Sequence, residues 1–369
     1  MKKIKIKFID NMLDSKSKIV LWWIFIVIFS KIIRYTILKV TLVDASIGHH
    51  MIYSIINHYT KFKLFDNDSG GDASGNAAFI FDKLNIFGLT TYIQFEVFIT
   101  IIFNILVMII ILKGKNKYTS NQYLFIITSI MMLNIFSFNL AKEPIQFLYF
   151  FLMFIVLNSN INLKLKLVSI ILCIFLCTLT FRTYYILILY FGIIFFLLYK
   201  LIIGENEISF LKIVFILIII GISYYFCLSV VKSIAPDIYF ELIRVRHRQS
   251  MATTDIRALF KTNNLISYTL DYVIVLLRLL FPIELIRFGP KFLLYIFSQL
   301  VVTIVFINSF INQKNISYNQ KIALYIYIGY LLTSACFEPD FGSWVRHEST
   351  VFPITVFLSG IINHKEEAK

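Results

Sequence analysis

Charge is what this chain has least of. Only 15% of its 369 residues are Asp, Glu, Lys or Arg, and 59% are hydrophobic, whereas a soluble domain carries roughly a quarter charged residues and under half apolar. That imbalance excludes an ordinary water-soluble globular protein. Cysteine is scarce too. Cys173, Cys177, Cys227 and Cys336 lie in or at the edge of apolar runs, without the spacing of a disulfide framework or a zinc site. Cys173 and Cys177 share a helix face and read as packing. Neither a G-x-x-x-x-G-K-[ST] loop nor a G-x-G-x-x-G after a strand is present, so no nucleotide fingerprint appears. There is no internal repeat, low-complexity linker or soluble domain, and 1–369 reads as a single transmembrane domain. The basic start MKKIKIKFIDNMLDSKSK precedes the apolar LWWIFIVIFSKIIRY without a small-residue cleavage site. It reads as an uncleaved first span, not a signal peptide.

What is present comes in long apolar runs such as VFILIIIGISYYFCLSV, separated by short polar breaks. About twenty apolar residues cross a bilayer as a helix. The expectation is therefore an all-α, polytopic integral membrane protein with about ten transmembrane helices (8–12). They fall near 18–38, 91–112, 121–139, 145–158, 167–180, 184–200, 211–230, 290–310, 321–337 and 351–363. The segment 268–290, YTLDYVIVLLRLLFPIELIRFGP, is expected to be re-entrant or interfacial. It contains Pro282, and it would hold Arg278 at mid-membrane, which is costly outside a cavity.

Basic residues in short loops set orientation. Lys2, Lys3, Lys5 and Lys7, the loops KGKNKYTS, NLKLK and NQKNISYNQK, and the tail HKEEAK are the basic segments. If all are cytoplasmic, both termini are inside. The outer segments are then 41–88 (a first loop), 141–144, 180–185, the long loop 231–265 (231–290 with the re-entrant element) and 337–348. The formal charge of +14 calls for anionic partners, which for a membrane protein are lipid headgroups or pyrophosphate-bearing lipids and not nucleic acid.

The polar groups gather on that outer side. FDNDSGGDASGNAAF offers Asp68 and Asp72 in a glycine-rich acidic loop, able to accept a proton from a hydroxyl or to form an ordinary solvated turn. Lys142 and Glu143 sit in NLAKEPIQFL, where an acid beside proline also suits a helix start. Arg182, in LTFRTYYIL, needs an anionic partner or must snorkel to the interface. Arg244, Arg246 and Arg248, in FELIRVRHRQS, are a positive patch fit for headgroups or for a pyrophosphate leaving group. FEPDFGSWVRHE crowds Glu338, Asp340, Arg346, His347 and Glu348 together. There Trp344 suits the membrane interface, His347 could shuttle protons, and an ion-pair staple would use the same residues. Glu96 reads as an outer-end residue reaching for water.

The order DSGGDA, KEP, FRTYY, a long basic outer loop and RHESTVFP resembles the multispanning bacterial polymerases of capsule and O-antigen repeat units (Wzy type). It is also similar to the wider GT-C group of lipid-sugar-dependent membrane glycosyltransferases. The likeness spans most of the chain as topology and scattered short motifs. It implies an acid on the first outer loop, Asp68 or Asp72, as base or metal partner. It implies that Arg182, Arg244, Arg246, Arg248 and Arg346 hold lipid-linked anions. The first loop lacks the paired-acid signature of the mannosyl and arabinosyl transferases.

The expected function is polymerisation of undecaprenyl-pyrophosphate-linked oligosaccharide repeats. Asp72, then Asp68, Glu338 or Asp340, would be the base, with Lys142, Glu143, Arg182, Arg244, Arg246, Arg248, Arg346 and His347 binding substrate. Neither cofactor nor metal is called for. A flippase and a chain-length regulator are the expected partners. Alternatives are a transferase using a polyprenyl-phosphate sugar, a flippase or exporter, and a non-enzymatic capsule-assembly partner.

Overall fold

The computed structural model describes residues 15–36, 73–204, 209–234, 254–260, 264–338 and 340–362. Among them the chain is all-helical, and the only ladder-type pairing is an isolated antiparallel bridge between Asp255 and Asp340. In order the helices are α1 Ser15–Thr36, α2 Ala73–Leu84, α3 Tyr92–Leu112, α4 Ser120–Met132, α5 Glu143–Asn158, α6 Leu163–Thr180 and α7 Ile186–Ile202. Then come α8 Phe210–Ile234, α9 Leu265–Leu280, α10 Leu293–Ile311, α11 Tyr318–Phe337, α12 Phe341–Ser349 and α13 Phe352–Leu358.

Six segments are long and apolar enough to cross a membrane: Lys16–Thr36, Tyr92–Leu112, Leu163–Thr180, Thr183–Ile202, Leu211–Val230 and Pro290–Ile311. Their outward faces carry Leu21, Trp22, Phe25, Phe226 and Ile304, all more than half exposed. Apolar surface on that scale belongs in lipid, not in water. The chain is thus a multi-pass membrane protein.

The other four expected crossings take different forms. The run 121–139 is not one helix: α4 passes into a π-helical turn, Leu133–Ser137. There Asn134 exchanges amide hydrogen bonds with Asn104 of α3 at 2.7 and 3.0 Å, an interhelical polar pair of the kind that locks membrane helices. The run 145–158 is the 16-residue α5. In 351–363 only the seven residues of α13 are helical, about 10 Å of length, too short to cross alone. Helix α11 is long enough but lies in the protein interior, with every residue from Ile326 to Phe337 buried. It touches α7 backbone to backbone, since a Cβ on Gly329 would lie 2.1 Å from the Ile188 carbonyl and one on Gly192 2.9 Å from the Tyr325 carbonyl.

Segment 268–290 is α9 followed by two 3-10 turns, Ile283–Phe288 and Pro290–Phe292. Arg278 is neutralised there. Its Nη2 donates to Glu284 Oε1 at 2.7 Å and its Nη1 to the Arg257 carbonyl at 2.7 Å.

Contacts sort the loops to two ends of the bundle. At one end, Lys16 donates to the Leu112 carbonyl, Gln122 to Ser359, Lys166 to Asn319 and Gln320 to Phe357. This end gathers the basic loops. At the other, Asn76 donates to the Thr180 carbonyl, Ser137 to Arg346, and Phe341 to Thr254. That second end holds the polar cluster.

Candidate functional site

Three breaks in helix build the cluster. After α4, the π-turn and the bend through Ala141 redirect the chain so that α5 starts at Glu143, with Pro144 in its first turn, where a missing N–H costs nothing. Between α6 and α7, Arg182 takes an extended conformation before the 3-10 turn Thr183–Tyr185. Beyond α11, Glu338 caps the helix in extended backbone and Asp340 opens α12, its Oδ1 accepting from Ser343 N at 2.8 Å. Helix α12 is then fixed from several sides. Trp344 stacks on Tyr330 and donates Nε1–H to the Leu279 carbonyl at 3.2 Å. Ser137 Oγ donates to the Arg346 carbonyl at 3.0 Å and Gln146 Nε2 to the His347 carbonyl at 3.2 Å.

His347 is the hub. Arg182 Nη2 donates to its Nε2 at 2.6 Å, and Glu338 Oε1 lies 2.8 Å from its Nδ1. Arginine has no acceptor, so Nε2 must carry the lone pair and Nδ1 the proton, donated to Glu338. The ring is thereby set neutral and in one tautomer. Burial holds its pKa well below the ordinary value, and Arg182 pushes the same way. Arg182 itself is buried against the rings of Phe181, Tyr184 and Tyr185 and gives Nη1 to the Tyr184 hydroxyl. Glu143 Oε1 lies 3.6 Å from His347 Nε2 and 3.9 Å from Arg346 Nε, too far for a hydrogen bond.

Two acceptor groups are left over. Glu338 Oε2 and both oxygens of Glu143 are buried with no hydrogen-bond partner among the described residues. Burial raises the Glu338 carboxyl to about 7 despite the opposing pull of Arg182, Lys142 and Arg346. Burial likewise lowers the Lys142 ammonium to about 8, helped by Arg182. Arg346 is the open edge, its side chain 38% exposed.

No protein-family model, curated protein or solved structure matches this chain. The site therefore stands on its own geometry. Of the residues singled out in the sequence, Lys142, Glu143, Arg182, Glu338, Arg346 and His347 come together from three separate segments. Asp340 does not join them as a free carboxylate. Its Oδ1 caps α12 and its backbone bridges Asp255, a structural use. Asp68, Asp72, Arg244, Arg246 and Arg248 lie outside the described residues. Among those described, no group of three His, Cys, Asp or Glu side chains is placed to hold a metal ion.

Two readings are corrected. Glu96 does not reach for water; it is buried against Lys31 at 3.0 Å and Arg34 at 3.6 Å. Lys31 also donates to the Phe138 carbonyl at 2.7 Å and Arg34 to that of Ile135, so this buried pair grips the turn leading to Lys142 and Glu143. Trp344 is fully buried and not interfacial, because α12 folds back onto α11. Missed in the sequence were Ser137, Gln146 and Tyr184, whose types are common in loops and apolar runs alike.

Proposed function

We propose that this protein is a glycosyltransferase of the outer face of a bacterial plasma membrane, polymerising undecaprenyl-pyrophosphate-linked oligosaccharide repeats. The observation that supports this most is the buried chain Arg182–His347–Glu338, which leaves one glutamate oxygen free beside the exposed Arg346. The reading takes about ten crossings, both termini cytoplasmic, and the cluster facing outward.

In this reaction the acceptor sugar hydroxyl gives its proton to Glu338 Oε2 as its oxygen bonds to the anomeric carbon of the donor. The bond from that carbon to the pyrophosphate oxygen breaks, releasing undecaprenyl pyrophosphate. A base with a pKa near the working pH is efficient. His347 Nδ1–H holds the other Glu338 oxygen, and Arg182 holds His347, so Arg182 acts as a positioning residue. Arg346 and Lys142 stabilise the charge that grows on the leaving group, and Arg244, Arg246 and Arg248 are proposed to bind the lipid-linked pyrophosphate. Asp72 or Asp68 is kept as a proposed second carboxylate. A flippase would supply the repeats and a chain-length regulator would act on the product.

A transferase adding one sugar from a polyprenyl phosphate would use the same groups, and product length separates the two. A flippase would need polar groups along a path to both ends, whereas this cluster sits at one. The deciding experiment is Arg346→Ala and Glu338→Gln in cells, followed by analysis of lipid-linked and surface glycan. Single lipid-linked repeats should accumulate while the protein stays in the membrane. Normal ladders from both variants would overturn the reading.

A further inference from the structure

The residue after His347 has no part in that scheme. Successive residues of a helix point about 100° apart, and Glu348 turns away from the cluster into the bundle. It is buried, 6% exposed. Burial pushes its carboxyl up to about 8, and the facing Tyr327 hydroxyl offsets this only in part.

Around it stand phenols. Tyr295 of α10 and Tyr327 and Tyr330 of α11 all feel its charge. The hydroxyls of Tyr295, Tyr327 and Tyr330 are buried without a hydrogen-bond partner among the described residues, as are both polar atoms of Gln299. Gln299 lies one helical turn from Tyr295, on the same face. Glu338 also reaches Tyr295 and Tyr330, and Arg182 reaches Tyr330, from the neighbouring cluster, but among the described residues no basic group acts on Glu348 itself.

A buried carboxylate without a counter-charge is costly, and so is each orphaned polar atom. One small cation would relieve the carboxylate and the orphaned oxygens together. The available donors are oxygens, which hard alkali and alkaline-earth ions prefer. The single carboxylate matches a single positive charge.

We propose that Glu348, the phenolic oxygens of Tyr295, Tyr327 and Tyr330 and the Gln299 carbonyl bind one monovalent alkali cation, in competition with a proton. The site adjoins the glycosyl-transfer cluster at Tyr330, but its test reads stability and does not depend on that activity.

The test uses the full chain purified in detergent. Its Tm is measured at pH 9 in sodium chloride against choline chloride of equal ionic strength. Sodium well above half-saturation should raise the Tm by roughly 2–4 °C, and the shift should shrink at pH 6, where a proton occupies Glu348. Glu348→Gln and Tyr327→Phe should each abolish the sodium dependence. If Glu348→Gln fails to fold, Tyr327→Phe carries the comparison. Equal Tm values in sodium and choline for the wild type would overturn the proposal. So would an undiminished sodium shift in Tyr327→Phe or in a folded Glu348→Gln.

Discussion

Glu338 and Glu348 are ten positions apart in the sequence and both are buried. They differ in what surrounds them. Glu338 meets the Nδ1–H of His347 and the field of Arg182, Lys142 and Arg346. Glu348 meets tyrosines and, among the described residues, no cation. Burial raises both carboxyls, to about 7 and about 8. Desolvation alone therefore does not separate their roles; the sign of the neighbouring charge does. A carboxyl beside cations suits an anionic leaving group, and one in a phenol cage suits a cation.

The largest effect that would break this comparison is an isosteric swap at each position. Glu338→Gln removes the proton acceptor and keeps the shape, so polymer synthesis should fall by roughly 10²–10⁴-fold. Glu348→Gln should cost far less, because it lies outside the proposed acceptor site. Comparable losses in quantified polymer from both variants would merge the two regions into one site.

The next largest is at Arg182. Lysine keeps the charge but loses the planar fork that serves Tyr184 and His347 together. Arg182→Lys should lower the rate by about tenfold, the equivalent of one hydrogen bond at roughly 1.4 kcal/mol. The accompanying signature is a changed His347 tautomer in a nitrogen-resolved NMR spectrum. An unchanged imidazole signal would deny Arg182 its positioning role.

The pH dependence sharpens the contrast further. With Glu338 as base, the rate should rise about tenfold per unit below pH 7 and level off above it, and the Glu338→Gln residual should be flat. Stability runs the other way. The folded carboxyl holds its proton more tightly than the unfolded one does, so its contribution is complete below about pH 4.5 and is lost as pH rises through about 7. Thermal melts of wild type and Glu338→Gln across that window read the difference directly.

Much of the fold was legible because the bilayer leaves few options. Apolar runs marked six helices, and charge in an apolar chain marked the site, since each charge has to be balanced. Pairings were not legible: Arg182 and His347 are 165 residues apart, and nothing local links them. The turn at Leu133–Ser137 was hidden because its residues are as apolar as the helix before it. The Asn134–Asn104 exchange that pins it joins residues 30 apart. Glu348 stood in view within the crowded motif. Its partners did not, because three phenols among 21 tyrosines look like any membrane aromatic.

A third carboxyl in the same motif gives the smallest effect and the cleanest control. Asp340 belongs to neither region; its Oδ1 accepts from Ser343 N at 2.8 Å to cap α12. Cap removal by Asp340→Ala should cost about 1 kcal/mol of stability, while Asp340→Asn, an equally good cap, should cost little. Both should leave the pH–rate midpoint where Glu338 sets it. If Asp340→Asn instead moved that midpoint or stopped polymer formation, the charge and not the cap would matter there. The acid that accepts the proton would then have to be reassigned from the end of α11 to the start of α12.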